Sequence, residues 1–179
     1  MSEQSSVGLL VVDIQGKLAE LVDQSEAVLS STKKLIKCCS VLSIPIVVLE
    51  QNPEGLGLTH KTLTTDLGDF DPLVKFCFNG LDEAHIVEQL KQSNIQQWLV
   101  VGIEAHICVY QTALGLMSHG FDVQVLADCI SSRKRENVDL AIDNLRAQGA
   151  TISSVEMFVY QHLGSSRSPH FKKVLEIIK

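Results

Sequence analysis

The feature that most limits what this chain can become is an alternation. Short unbroken apolar runs are separated by segments whose apolar residues recur every three or four positions. Residues 7–12, 46–49 and 98–103 are runs of the first kind, 72–74 is a shorter one, and 123–127 and 152–155 are less continuous stretches also read as strands. They lack the in-out alternation of a strand with one wet face, so each predicts a strand buried on both sides. Between them lie amphipathic stripes: Val28, Thr32, Leu35, Ile36 and Cys39; Ile86, Val87 and Leu90; Val138, Ala141, Ile142 and Leu145; Phe171, Val174, Leu175 and Ile178. A further helix is expected over 108–119, stopped by Gly120. Ser25 and Asp82 suit the caps of the first two helices, and Ser168 with Pro169 the start of the last. Buried strands alternating with amphipathic helices predict an α/β fold, a parallel sheet covered on both faces.

The rest of the sequence narrows the class. A chain of 179 residues is read as one domain, 1–179, large enough for a full core. The net charge of −6 and the absence of a basic stripe argue against a nucleic-acid platform. Residues 1–6 are polar, without the order of a signal peptide, and no apolar run reaches the roughly 18 residues needed to span a membrane. Five cysteines with no C-x-x-C pair make a poor disulfide framework and suit a reducing cytoplasm. The longest irregular stretch is 51–71, a length at which loops often carry function.

In an open parallel sheet, ligands bind beyond the carboxyl ends of the strands. Asp13, Glu50, Lys75 and Asp128 each follow or end an apolar run, and Cys108 falls just after the fourth strand. Asp13 and Asp128 also suit ordinary turn or cap roles. A thiol in the first turn of a helix faces free N–H groups and the positive end of the dipole, which predicts a lowered pKa for Cys108. The N–H groups of 105–108, including Ala105, Ile107 and Cys108 itself, are candidates for an oxyanion hole. Cys38, Cys39, Cys77 and Cys129 are expected to be buried and inert. His85 and His119 read as helix-surface residues, and His60 as a solvated loop residue.

These residues carry a resemblance. The segments Leu9-Leu10-Val11-Val12-Asp13-Ile14-Gln15, Glu50-Gln51-Asn52-Pro53, Val74-Lys75-Phe76 and above all 102–113 resemble the isochorismatase-like cysteine hydrolases over about 7–179. The resemblance implies a three-layer α/β/α sandwich with a six-stranded parallel sheet, Rossmann-like and doubly wound. It implies a catalytic Asp, Lys and Cys at Asp13, Lys75 and Cys108, and a non-proline cis peptide between Ile103 and Glu104. It makes Gln15, Glu50, Gln51, Phe76 and His106 pocket candidates, and it favours a homo-oligomer, dimer or larger.

The implied chemistry is hydrolysis of a small acyl, amide or related substrate: Asp13 takes the thiol proton, Cys108 forms a thioester, and water releases it. Relatives of the nicotinamidase type carry an Asp-x-His metal motif after the second strand. Here that position reads Glu50-Gln51-Asn52, so no metal and no cofactor are expected. Relatives that cleave isochorismate do not always keep the thiol, so Cys108 leans toward acyl chemistry. Two other classes stay open: a thiol-based redox or electrophile sensor with Cys77 or Cys129 as resolving thiol, and a catalytically idle oligomeric interaction module. Neither nucleic acid nor membrane is an expected partner. The expected partners are a small-molecule substrate and further copies of the chain.

Overall fold

A computed structural model describes residues 6–179; the polar start discussed above lies almost wholly outside them. The strands are β1 (Val7–Val12), β2 (Ile46–Gln51), β3 (Leu73–Lys75), β4 (Gln97–Ile103), β5 (Asp122–Ser131) and β6 (Thr151–Ser153). They form one sheet in the order β3-β2-β1-β4-β5-β6, parallel at every pairing. This is the expected doubly wound arrangement. The chain runs outward from β1 to β3, then returns to the other side of β1 as β4, so the crevice of the switch point opens between the carboxyl ends of β1 and β4.

Helices cover both faces. They are α1 (Leu18–Leu21), α2 (Ser25–Leu42), α3 (Pro53–Leu56), α4 (Lys61–Leu67), α5 (Ala84–Gln92), α6 (Tyr110–Ser118), α7 (Arg135–Ala147), α8 (Val155–Leu163) and α9 (Phe171–Ile178). β1 shows why the sheet needs two layers. Leu9 and Val11 pack with α2, α8 and α9 residues such as Leu35, Ile36, Phe158 and Val174. Leu10 and Val12 pack on the opposite face with Ile86, Leu116 and Leu145 of α5, α6 and α7. Each such leucine, fully buried, contributes about 1.5–3 kcal/mol. Trp98, also fully buried, meets Phe121 edge-on at 6.5 Å between ring centroids.

Several local expectations are corrected. Ser25 opens α2 but does not cap it: Gln24 does, in a left-handed conformation and without a side-chain bond. Asp82 ends a short 3-10 turn, Gly80–Asp82, in which Asn79 accepts from the Leu81 N–H, and α5 starts two residues later. α9 starts at Phe171, after a turn closed by the Phe171 N–H on Ser168 O. The last strand stops at Ser153, because Ser154 caps α8 through the Met157 N–H. The long stretch after β2 folds into α3 and α4.

β5 runs on to Ser131 with an irregularity. Val100 pairs with Val125 and Gly102 with Ile130, so β5 gains three residues over β4 there. Asp128 sits in this bulge. Its carboxylate accepts the N–H of Val155 at 3.1 Å and so serves the start of α8, the ordinary cap role. At the other end of the pairing, Gly102 has φ +138°, and a Cβ there would lie 2.0 Å from Val12 O. Only glycine lets β4 come this close to the end of β1.

Candidate active site

Asp13, Lys75 and Cys108 meet at the carboxyl edge of the sheet. Asp13 follows β1 with φ 52°, a left-handed conformation that costs a non-glycine residue energy and is held by its surroundings. Its N–H donates to Leu49 O at 3.1 Å. Lys75 ends β3 and is fully buried. Its Nζ stands 2.7 Å from Asp13 Oδ2 and donates to Gln51 Oε1 at 2.6 Å and to the carbonyls of Cys77 and Phe78 at 3.2 and 3.4 Å. β2 lies between β3 and β1, and the lysine side chain reaches past it to Asp13. The ion pair aside, neither Asp13 oxygen receives an aligned hydrogen bond among the described residues; the Cys108 thiol faces the same carboxylate.

Cys108 stands in a one-turn π-helix, Ala105–Val109, that joins β4 to α6, and the Ile103–Glu104 peptide before it is cis. The thiol is 8% exposed. Its pKa is pushed up to about 12, by burial first and by the Asp13 charge second, with Lys75 opposing. The expected depression is therefore overturned: a dipole that favours a thiolate is outweighed by desolvation and a neighbouring anion. Burial likewise raises Asp13 above the ordinary carboxylate range, against the pull of Lys75. The resting arrangement is a neutral thiol beside a paired carboxylate. Within the turn, the N–H groups of Ile107 and Val109 both donate to Glu104 O, at 3.1 and 3.3 Å. Ile107 is thereby removed from the oxyanion candidates, while Ala105 precedes these bonds.

The Isochorismatase domain family matches residues 7–157. The chain belongs to the isochorismatase family. Among curated relatives, isochorismatase domain-containing protein 2 of Xenopus laevis is 33% identical, over 99% of this chain and 85% of that protein. The secreted isochorismatase effector Isc1 of Phytophthora sojae is 32% identical, over 96% and 83%. Among solved structures, a Caenorhabditis elegans protein described as MAR1 ribonuclease superposes with TM-score 0.90 at 33% identity, over 97% of this chain and 90% of that one. The Escherichia coli YcaC product, described as an octameric hydrolase of unknown specificity, shares the fold at TM-score 0.87 and 19% identity, over 97% and 92%.

In this member of the isochorismatase family the pocket candidates divide. Gln51 holds Lys75 and donates to Phe76 O at 2.7 Å, a positioning role. Gln15 spends its amide on Gln51 O, Gly57 O and the Gln51 N–H, and so ties strand ends together. Glu50 Oε1 accepts from the N–H and hydroxyl of Thr59 at 2.7 and 2.6 Å, anchoring the segment after β2. Phe76 is 68% exposed and stands beside Lys75 at the rim. His106 is held from behind: Nδ1 lies 2.9 Å from Ser132 Oγ and Nε2 3.3 Å from Asn137 Nδ2. His60 is buried, not solvated. It caps α4 through the Thr62 N–H, and its other nitrogen lies 3.4 Å from Glu20.

No group of three or more His, Cys, Asp or Glu side chains among the described residues is placed to hold a metal ion. The five cysteines are free. Cys38, Cys39 and Cys129 are buried as expected, whereas Cys77 is exposed: it follows Lys75 into the loop beyond β3, where no helix covers it. Cys129 packs on the face of α2 and Cys108 on the face of α6, so the sheet separates them and Cys129 is no resolving thiol. Glu104 is the residue whose placement sequence reasoning missed. Its carboxylate binds Arg133, a partner 29 residues away that no local spacing announces.

Proposed function

We propose that the protein is a hydrolase in which Cys108 attacks a small acyl, amide or related substrate, with Asp13 as general base and Lys75 as its charge partner. The observation that carries this reading is the Asp13–Lys75 pair at 2.7 Å beside a buried neutral thiol. A thiol with a raised pKa is a poor spontaneous nucleophile, so it needs a base at the moment of attack. Asp13 takes the proton as sulfur bonds to the acyl carbon. The tetrahedral oxyanion is met by N–H groups at the start of the Cys108 turn, each well-placed donor worth roughly 3 kcal/mol. As the bond to the leaving group breaks, Asp13 returns the proton to it. A water then attacks the thioester with Asp13 again as base, freeing the acid and the thiol.

In this reading the substrate is a small molecule, and RNA and membranes are not partners. The ribonuclease description belongs to structural relatives, and a net charge of −6 opposes phosphate-backbone binding here. Free, mostly buried thiols suit a reducing cytoplasm. The deciding experiment offers p-nitrophenyl acetate and small amides to the wild type and to Cys108→Ala, following p-nitrophenol release and intact mass. The expected result is a one-acyl adduct on Cys108 that the variant lacks. An adduct on Cys77 alone, or equal turnover by the variant, overturns the reading. Turnover is expected to survive EDTA, because Glu50 and His60 already spend their donor atoms on Thr59 and Thr62; loss on chelation and recovery with zinc would contradict this.

A further inference from the structure

The turn that carries Cys108 is held from outside its own strand and helix. Glu104, the residue that leads into it, is buried to 7% exposure. A carboxylate taken out of water needs its lone pairs met. They are met by the β5–α7 connection: Oε2 accepts the backbone N–H of Arg133 at 2.9 Å, and Nε of Arg133 donates to Oε1 at 3.0 Å and Oε2 at 3.2 Å. Two residues on, His106 reaches the same connection through Ser132, and reaches Asn137 in the first turns of α7. The connection is fixed on its far side, where Asp23 donates its N–H to Ser132 O at 2.9 Å and Ser131 donates its hydroxyl to Asp23 O. Meanwhile the carbonyl of Glu104 gathers the N–H groups of Ile107 and Val109, on either side of Cys108.

Resting on the nucleophile reading above, we propose that Glu104 is a positioning residue: its carboxylate, through the Arg133 N–H, sets where Cys108 stands relative to Asp13. The backbone and guanidinium contacts with Arg133 differ in weight. The guanidinium is 63% exposed, so its ion pair is screened and worth little. The backbone N–H, matched to a buried acceptor, is the anchor that matters. Reach should therefore count for more than charge. The substitution Glu104→Gln keeps an acceptor at full reach without charge; Glu104→Asp keeps the charge but draws it back by one methylene.

The test measures single-turnover acylation of Cys108 by p-nitrophenyl acetate in wild type, Glu104→Gln, Glu104→Asp and Arg133→Ala, with deuterium uptake of the segment 104–110. A nucleophile displaced by about 1 Å loses on the order of 100-fold, so Glu104→Asp is expected to slow acylation roughly 10- to 100-fold, in the rate constant and not in substrate affinity. Uptake across 104–110 should rise in that variant. Glu104→Gln should keep most of the rate and the wild-type uptake. Arg133→Ala should lose no more than roughly threefold, the scale of an exposed pair. The proposal is overturned if Glu104→Asp equals or exceeds Glu104→Gln in rate, or if uptake at 104–110 stays at the wild-type level in Glu104→Asp. Should the wild type fail to acylate at Cys108, the nucleophile reading falls, and the exchange data alone still decide the clamp.

Discussion

At the scale of single residues, Asp13 faces two demands that pull apart. Beside burial, the larger cause, its charge as an anion keeps the Cys108 thiol protonated; in the proposed mechanism it is also the base that makes the thiol useful. Asp13→Asn should therefore have effects of opposite sign. Hydrolysis is expected to fall by about two to four orders of magnitude, the usual worth of a general base. Iodoacetamide alkylation of Cys108 at pH 8 should become faster, because the neighbouring anion is gone and Lys75 remains. Peptide-level mass spectrometry reads both, and in the wild type exposed Cys77 should be alkylated before Cys108. Slower alkylation in the variant would mean that Asp13 does not oppose the thiolate. The pH dependence follows the same logic. Asp13 must be ionised to accept a proton, and burial raises its pKa, so activity should fail with acidification at a higher pH than an ordinary carboxylate would allow. Asp13, Lys75 and Cys108 are all legible in the sequence because each ends or follows an apolar run. The sign of the thiol shift is not, because dipole and burial compete and only three-dimensional packing sets the burial.

At the scale of elements, the approach of β4 to β1 decides whether those residues can meet. Gly102→Ala would set a methyl 2.0 Å from Val12 O in a backbone conformation that L-residues rarely adopt. The two strand ends must then part, just before Asp13 on one side and the Cys108 turn on the other. The expected outcome is a loss of stability on the scale of overpacking, about 1–3 kcal/mol or more, seen as a lower Tm, and a larger fractional loss of acylation than of folded protein. A variant with wild-type Tm and rate would show that the closeness is incidental. Long elements are readable where period and punctuation agree, as in β1, α2 and α7. α8 escapes the sequence reading although Ser154, then Val155, Phe158 and Val159, then Gly164 form a helix signal: the apolar residues before it read as one strand running through Val155. The bulge in β5 is invisible for a different reason. Extra residues in a strand change its pairing, not its hydrophobicity.

At the scale of the whole molecule, the outer surface carries apolar residues that the two cores do not use. Leu140 on α7 is 58% exposed, and on α8 Met157 is 64% and Tyr160 37% exposed. Single exposed apolar side chains are normal, but here they lie on the outward faces of helices whose inward faces are already packed. With the oligomeric state implied by the family resemblance, they favour burial between copies in a closed assembly. Light scattering at low micromolar concentration should give a mass that is a multiple of 19.7 kDa, and Met157→Glu or Leu140→Glu should lower it. The site gives this prediction a second arm. Asp13, Lys75 and Cys108 all come from one chain, as do Gln51 and Glu104, which hold them. Dissociation should therefore cost thermal stability, through lost burial and mass action, while single-turnover acylation per chain stays close to wild type. A wild-type monomer removes the assembly and leaves the chemistry standing. A dissociated variant that folds but cannot acylate would mean that a neighbouring copy completes the site.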